Sequence, residues 1–380
     1  VKSTRGNINT DFFMSPREIK FSQINKNNFY LYRVYDINKK NNGKFYFEKG
    51  DVTISADSKL ISIGGTDTTT NKSLPDLALV SDVPTAATAS AYITPISTII
   101  AAAATPAAKL EVLTSLGISA ADLGASADDA SAVVQAFLAK DVWAESVAGD
   151  ATAQAIQTKN VQLTEVLVSA VNVADTSDAA TAVARAVTMT KSFAEGLVTQ
   201  AAAGNAIINT EVAADGSVSF KIVEAIVSEA LVVAVQTYTS VATITDTSLD
   251  TLVADASALA AFADDLTAVI TNVTDQLNFA DVTDVSVVAV ISAAKTSAET
   301  AVVEIATAVV AADATELASY ASGSANSTIA QAVATEETKV AATIAEAVTE
   351  AATTATETAA DLTNSGYSLP EAISVLETVE

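Results

Sequence analysis

The stretch ANSTIAQAVATEETKVAATIAEAVTEAATTATETAADL, residues 325–362, is the most regularly patterned part of the chain. Its larger apolar side chains include Ile329, Val333, Val340 and Ile344, which recur at helical spacing. Two of these pairs are spaced by 11 residues, a period of about 3.67 residues per turn. The period predicts a long, nearly straight helix and disfavours a leucine-heptad coiled coil. We expect this helix to pack on its neighbours, with an extended rod or a partner-helix surface as the alternative.

The same Ala-, Val- and Thr-rich composition extends over the chain from about residue 105, where such runs alternate with short breaks of Gly, Asn, Asp or Ser. Apolar residues three and four positions apart predict amphipathic helices in these runs. In Ala151–Val173 we expect Ile156, Leu163 and Val171 to face inward. Gly117 suits the left-handed residue that commonly follows a helix. The other predicted helices are Ala107–Leu116, Ala130–Lys140, a helix capped by Ser177 that ends near Ala203, Leu249–Ala268, Val285–Ala312 and Pro370–Val379. Asp215-Gly216 predicts a turn before Val218-Ser219-Phe220, and we expect helices to resume from about Lys221.

The composition changes abruptly across FYFEKGDVTISADSKLISIGG, residues 45–65. Residues 1–50 hold 10 basic and 4 acidic side chains, whereas residues 51–380 hold 10 basic and 41 acidic ones. The first 50 residues also contain 10 of the 19 Phe and Tyr residues. A single domain rarely shows such a step, which indicates a domain boundary or a fusion.

Two chemically important residue types are missing, since the 380 residues include neither Cys nor His. The sequence therefore excludes disulfides, thiolate metal sites and Cys nucleophiles. It also excludes Ser-His-Asp chemistry and removes the usual general base of enzymes. On these grounds we expect no enzymatic activity.

The first 50 residues have the local signals of a small α/β unit. Residues 15–18, SPRE, predict a helix start in which Ser15 caps the first turn. Residues 28–37, NFYLYRVYDI, alternate in the manner of a strand. NNG at 41–43 indicates a turn before a returning strand, Lys44–Glu48. The predicted order is strand, helix and β-hairpin.

VKSTRGNINTDFFMSPREIKFSQ, NFYLYRVYD and GKFYFEKGD together resemble the C-terminal domain of NO VEIN-type proteins, which also occurs in bacterial defence and restriction proteins. The resemblance implies a restriction-endonuclease-like fold whose metal-dependent site uses an acidic residue, one intervening residue and a Lys. Lys2 matches that lysine, and the acidic residue would fall immediately before Val1. We therefore interpret the chain as a fragment and expect the nuclease site to be inactive. Candidate phosphate contacts, with solvated surface charge as the alternative, are Lys20, Lys26, Arg33, Lys39 and Lys40.

The residues after Asp51 predict short strands at Val52–Ile54 and Leu60–Ile63, followed by a turn or bulge at residues 64–65. ISIGGTDTTTNKSLPDL and the later YITPISTIIAA resemble a part of large adhesin-like surface proteins of marine bacteria, over residues 51–175. In such proteins a small β unit precedes Ala-rich helices, and calcium is a common ligand. The resemblance makes four aspartates candidate Ca²⁺ ligands, with turn capping as the alternative. They are Asp57 and Asp67, with Asp76 and Asp82 as further oxygen donors.

These observations predict a mainly α fold, an Ala-rich helical array or bundle preceded by a small α/β piece and a short β-rich connector. The expected divisions are a truncated nuclease-like piece at 1–50, the connector at 51–104 and the helical region at 105–380. Pro84, Pro95 and Pro106 interrupt the longest uncharged window, so we expect no membrane span. The acidic region disfavours nucleic acid and favours partner helices or self-association.

Two functions follow as expectations. The first is a non-enzymatic structural or adhesin-like helical segment of a larger bacterial protein, with an extracellular or cell-surface location. The alternative is a fragment of a nucleic-acid-processing, restriction- or defence-type protein that lacks its complete active site. The domain type resembled by residues 1–50 is cytoplasmic, which conflicts with a surface location. This alternative therefore includes the case in which the nuclease-like fragment, residues 1–50, is joined artificially to an unrelated acidic segment, residues 51–380.

Overall fold

The computed structural model describes residues 2–3, 30–35, 44–49, 59–67, 69, 73–82, 92–174, 182–214, 216, 218–241, 249–277 and 285–364. Twelve α-helices dominate these residues, and their strands form one three-stranded sheet and two hairpins. The prediction of a mainly α fold with a small strand-containing part is confirmed.

The three-stranded sheet belongs to the first 50 residues. Strand β1, Lys2–Ser3, pairs in parallel with β2, Tyr30–Tyr35, which pairs antiparallel with β3, Lys44–Lys49. The alternating residues of NFYLYRVYDI thus form the predicted strand, and its hairpin partner is the predicted one. The helix expected from Ser15 lies outside the described residues.

The second sheet is a hairpin of β4, Lys59–Thr66, and β5, Ser73–Asp82. Its register shifts between Ile63 and Gly65, where the sequence predicted a turn or bulge. Sequence reasoning missed β5, which contains Pro75. A two-stranded sheet consists only of edge strands, and edge strands accept proline.

A third hairpin interrupts the helices and consists of β6, Ile208–Val212, and β7, Val218–Ile222. The sequence predicted the turn near Gly216 but not β6, and it placed the next helix from about Lys221. That helix instead begins at Glu224, because residues through Ile222 pair with β6.

The helices are numbered in chain order. They are α1 Pro95–Ala102, α2 Pro106–Ser115, α3 Ala130–Ala139, α4 Val142–Val147, α5 Ala151–Val173, α6 Ala182–Ala202, α7 Glu224–Ser240, α8 Asp250–Ala254, α9 Ala256–Gln276, α10 Val285–Val310, α11 Ala314–Ala321 and α12 Thr328–Asn364. The predicted single helix Leu249–Ala268 is wrong, because Asp255 ends α8 and caps α9 by accepting the N–H groups of Ser257 and Ala258. The predicted Pro370–Val379 helix lies outside the described residues.

Side-chain caps begin most of the helices whose first turns are described. Thr94 and Ser97 form a reciprocal capping box at α1, with Pro95 at the first helical position. Short acidic or hydroxyl side chains cap six further helices by accepting a backbone N–H. Those residues are Thr105, Asp129, Asp141, Asp150, Asp255 and Asp313.

A single hydrophobic core joins the β4–β5 hairpin to the helices. It extends without interruption from Leu77 in β5, through Ile96 in α1, to Ile344 in α12. The predicted connector at 51–104 and the helical region therefore share apolar packing, although the division into domains itself stays a prediction. Helix α5 lies at the centre, in contact with α1, α4, α6, α9 and α10.

Helix α12 packs along α10, which confirms the expectation for residues 325–362. Ile329, Val333, Val340 and Ile344 are buried, so the 11-residue pattern marks the packed face. At about 1.5 Å per residue the 37 residues of α12 extend roughly 55 Å. Among the described helices none is long and apolar enough to cross a membrane.

Candidate functional site

Helix α5 is unusual because it is buried on every side yet rich in polar residues. Every residue from Ile156 to Val171 is buried. The sequence predicted an inward face only, and the opposite face is covered by neighbouring helices and by β7. Its buried polar residues are Gln157, Thr158, Lys159, Asn160, Gln162, Thr164, Glu165 and Ser169. Buried polar groups need partners, so α5 is where a functional site is best sought.

A cavity of about 190 Å³ opens where α5 meets the β4–β5 hairpin, the start of α1 and helix α4. Its mouth consists of half-buried residues, whereas Gln157, Asn160 and Val161 of α5 form buried wall. The lining residues are Ser62, Asp67, Thr69, Leu77, Leu79, Tyr92, Ile93, Thr94, Pro95, Asp141, Val142, Trp143, Gln157, Asn160, Val161 and Thr164. The cavity combines apolar walls with a few polar groups, as small-molecule sites do.

A chain of hydrogen bonds fixes one wall of this cavity. Gln157 donates its Nε2 proton to Thr69 Oγ1 at 3.0 Å. The backbone N–H of Thr69 donates to Asp67 Oδ1 at 3.0 Å, and Lys295 Nζ donates to Asp67 Oδ2 at 2.6 Å. Lys295 lies in α10 and is only 1 % exposed, so this ion pair is buried. The bonds hold the bend after β4 against both α5 and α10.

Asn160 is the exception among the polar residues that line the cavity. Its Oδ1 accepts the backbone N–H of Ile96 at a long 3.4 Å. Its Nδ2 is buried and has no hydrogen-bond partner among the described residues. A buried amide donor without a partner costs about 1–3 kcal/mol. Asn160 is therefore the strongest structural indication that the cavity receives a ligand or solvent oxygen.

Two aromatic residues contribute to the mouth. Trp143 is the only tryptophan of the chain and lies in the second position of α4. Asp141 fixes the start of this short helix by accepting the N–H of Ala144 at 3.0 Å. Tyr92 lies two residues before Thr94, the residue that begins the capping box of α1. Both aromatic side chains are half-buried, so each contributes partly solvated surface to the cavity.

Lys159 forms a second buried polar centre on α5, outside the cavity. It is 3 % exposed, its Nζ donates to the carbonyl oxygen of Gly117 at 2.8 Å, and it lies 4.6 Å from the centroid of the Phe220 ring. Burial lowers the pKa of Lys159 to about 8, an effect that the negative charge of Asp122 partly offsets. Lys159 thus links α5 to the turn after α2 through the Gly117 carbonyl oxygen and to β7 through the Phe220 ring.

The buried ammonium of Lys159 predicts that stability rises with pH in a defined window. In the folded chain Lys159 loses its proton near pH 8, whereas in the unfolded chain it remains protonated to about pH 10.5. Between these pH values the unfolded state binds more protons than the folded state. The free energy of unfolding should therefore increase by roughly 3 kcal/mol as the pH rises through this window. Urea unfolding between about pH 7 and pH 10.5 measures it. The rise should be absent in Lys159→Met and retained in Lys191→Met, whose side chain is 71 % exposed; a rise in both variants would refute the assignment.

The predicted phosphate-contact residues fall mostly outside the described part of the chain. Lys20, Lys26, Lys39 and Lys40 are not described. Arg33 lies in β2, where it is paired in register with Lys2 of β1. The backbone thus places the motif lysine and one predicted basic contact on adjacent strands. The nuclease and nucleic-acid roles stay predictions.

Two of the predicted calcium ligands, Asp67 and Asp82, form ion pairs with lysines. Asp57 lies outside the described residues, and Asp67 contacts Lys295 and the Thr69 amide as given above. Asp82 is buried in an ion-pair cluster with Lys59 and with Lys109, the latter at 2.6 Å. No group of three acidic residues suited to a metal ion occurs in the described residues. Calcium binding by Asp57 and Asp67 stays a prediction.

Asp264 and Asp265 are adjacent carboxylates of α9, and each accepts a hydrogen bond from a different neighbouring helix. The Ser228 hydroxyl donates a hydrogen bond to Asp264 Oδ1 at 2.5 Å, and the Tyr320 hydroxyl donates one to Asp265 Oδ2 at 2.7 Å. Burial, followed by the bond to Asp265, raises the pKa of Tyr320. These contacts join α9 to α7 and to α11, so both carboxylates take part in packing between helices.

Of the residues that line the cavity, sequence reasoning singled out Asp67 as a candidate ligand but missed Trp143, Gln157 and Asn160. A local signal existed, since the polar positions of α5 are mostly Gln, Asn, Thr and Ser, whereas exposed helix faces favour Lys and Glu. Uncharged polar residues on both sides of an apolar stripe are typical of a helix surrounded by others.

Comparison with known proteins supports one of the two resemblances. The sequence model of the family described as Protein NO VEIN, C-terminal, matches residues 1–47. The match covers the sheet β1–β3 and ends within β3. No curated protein and no solved structure matches the chain. The matched residues therefore resemble the NO VEIN C-terminal family. The match does not extend to residues 48–380.

Proposed function

We propose that the chain is a non-enzymatic structural segment of a larger bacterial protein, adhesin-like and exposed at the cell surface through residues 51–380. The observation that supports this most directly is the continuous core from Leu77 to Ile344. It makes the hairpin and the helices one packed body. A segment of this kind acts by holding its two ends and its neighbours at a fixed spacing.

The β4–β5 hairpin is fastened to the helices by charged side chains at both ends. At one end Asp82 lies between Lys59 and Lys109, and Lys59 also donates to the carbonyl oxygen of Ala101 at 2.9 Å. At the other end Asp67 pairs with Lys295 of α10. Such fixed attachment suits a segment that transmits strain between its ends, since the hairpin cannot move independently of the helical body.

The long helices α10 and α12 supply the most extended element of this body. Small buried side chains of α10, Ala294, Ala298 and Ala301, leave room for close approach of neighbouring backbones. The acidic excess of the chain, with a net charge of −25, keeps the exposed faces soluble and disfavours contact with nucleic acid. Both features fit a spacer better than a catalyst.

Calorimetry of the whole chain tests the structural proposal. We expect the helical body to unfold in one transition with equal calorimetric and van't Hoff enthalpies, because its core is continuous. Several separate transitions within it would contradict a single structural body. Added CaCl₂ tests the calcium-bridged version: an increased unfolding temperature that Asp67→Asn abolishes would support it, and an unchanged temperature would exclude it.

A nucleic-acid-processing role is the second candidate, favoured by the family match and by the register of Lys2 with Arg33. A plasmid-cleavage assay with Mg²⁺ and a fluorescence-polarisation assay with duplex DNA test it. We expect neither cleavage nor binding that depends on these residues. Cleavage lost in Lys2→Ala, or binding lost in Arg33→Ala but retained in Lys191→Ala, would replace the structural proposal.

A further inference from the structure

We propose that the cavity between α5, α1, α4 and the β4–β5 hairpin binds a small, neutral, hydroxylated molecule, of which a monosaccharide is the best-fitting class. The inference is independent of the structural role proposed above. It rests on Asn160, which is 3 % exposed, lines the cavity and has a side-chain nitrogen without a hydrogen-bond partner in the described residues. An oxygen atom of a ligand would complete that bond.

The size of the cavity suits one ring. A dry engineered cavity of about 150 Å³ holds a benzene molecule. The present cavity of about 190 Å³ therefore accepts a six-membered ring, and its open mouth leaves room for ring substituents. A peptide or an oligosaccharide is too large to be enclosed. A single water molecule is too small to fill it, since water occupies about 30 Å³ in the liquid.

The charges of the lining favour a neutral ligand. Asp67 is one of two carboxylates in the wall, and its charge is balanced by Lys295 at 2.6 Å. The other is Asp141, which is partly solvated and accepts the N–H of Ala144. The lining contains no Lys or Arg that would attract an anion, and the chain as a whole is strongly acidic. An anionic ligand is therefore disfavoured.

The chemistry of the lining fits a sugar in particular. Hydroxyl groups both donate and accept, which matches a wall made of the Asn160 amide, the Ser62 and Thr69 hydroxyls and the Asp67 carboxylate. A pyranose ring also has an apolar face of C–H groups, which packs on aromatic surface. Trp143 and Tyr92 supply such surface at the mouth. We infer that the ring lies against these aromatic side chains with one oxygen facing Asn160 Nδ2.

The single tryptophan makes binding directly measurable. Fluorescence of Trp143 in the whole chain is titrated with D-glucose, D-galactose, D-mannose and myo-inositol, and with glucuronate as the anionic analogue. We expect saturable changes with millimolar affinity for at least one neutral compound, as few polar contacts allow. The unfolding temperature should rise with the same compound. Glucuronate should bind more weakly, because the lining contains no Lys or Arg to pair with its carboxylate.

Variants separate binding from folding. Asn160→Leu should weaken binding of the neutral compound about five-fold or more, because it removes one hydrogen-bond donor. Gln162→Leu is the matched control on the same helix: it removes a buried amide that donates to the Phe220 and Thr274 carbonyl oxygens and does not line the cavity. It should lower the unfolding temperature yet leave the affinity unchanged. Trp143→Leu, followed by calorimetry, should also lose binding.

The two readouts decide between a ligand site and a structural asparagine. Loss of affinity in Asn160→Leu with an unfolding temperature within a few degrees of the unmodified chain supports the proposal. If Asn160→Leu fails to fold, Trp143→Leu at the half-buried mouth carries the test alone. The proposal is overturned if none of the neutral compounds changes Trp143 fluorescence at tens of millimolar, or if glucuronate binds as tightly as the neutral compounds.

Discussion

Replacing Lys295 by Met is expected to lower the free energy of unfolding by about 3–5 kcal/mol. Lys295 is buried at 1 % exposure, and its Nζ lies 2.6 Å from Asp67 Oδ2 although the residues are 228 positions apart. Met retains most of the length of the stem but not the charge. The Asp67 carboxylate would then remain desolvated without its cation, which is costlier than losing an exposed pair. Urea unfolding followed by circular dichroism measures the change.

Neutralising both partners distinguishes the charge from the packing. Asp67→Asn removes the negative charge and retains an oxygen that can accept the Thr69 N–H. The double variant with Lys295→Met should therefore recover much of the lost stability. Lys191→Met is the matched control, because Lys191 is 71 % exposed and 3.8 Å from Glu195; it should cost less than about 0.5 kcal/mol. A double variant as unstable as Lys295→Met alone would refute the charge interpretation.

Replacing Gly196 by Val is expected to destabilise the chain by about 3 kcal/mol, at the upper end of the usual overpacking cost. Gly196 lies in α6, where a Cβ atom would stand 2.9 Å from the carbonyl oxygen and 3.0 Å from the Cα of Ala230 in α7. These are backbone atoms, so no rotamer change relieves the contact. Helices α6 and α7 would have to separate and lose packing along their length.

Ala184→Val is the control for this substitution, since Ala184 is exposed on the same helix. It introduces the same β-branched side chain with only the helix-propensity cost of roughly 0.5 kcal/mol. Gly196→Val combined with Ala230→Gly should remain unstable, because the closest atoms belong to the backbone of residue 230. A loss below about 1 kcal/mol for Gly196→Val would show that the two helices can move apart cheaply.

The elements recovered best from the sequence are those that local patterns define. Ala151–Val173 matches α5 at both ends, because Asp150 caps its start and apolar spacing marks its length. Gly117 has φ of 63°, the left-handed conformation expected after a helix. The residue 64–65 bulge likewise needs only the local glycine pair.

Sequence reasoning missed the helix Pro95–Ala102 and the strand Ser73–Asp82, because short elements leave a weak local pattern. An eight-residue helix such as Pro95–Ala102 spans about two turns, so apolar periodicity has little length in which to repeat. Its capping pattern, a Thr followed by Pro at residues 94–95, was the available signal. The same pattern precedes Pro106–Ser115. Strand Ser73–Asp82 lacked such a signal, since its pairing depends on a partner strand.

The sequence by itself determined the helical class, the positions of long helices such as Ala151–Val173, the β-hairpin within the first 50 residues and the absence of Cys and His chemistry. These depend on composition and on spacing within one or two turns. The tertiary structure alone decided which polar residues are buried. Asp67 meets Lys295, Gln157 meets Thr69 and Asn160 enters the cavity wall only because elements far apart in the chain pack together. Burial is a property of the neighbours of a residue, and local spacing does not encode those neighbours.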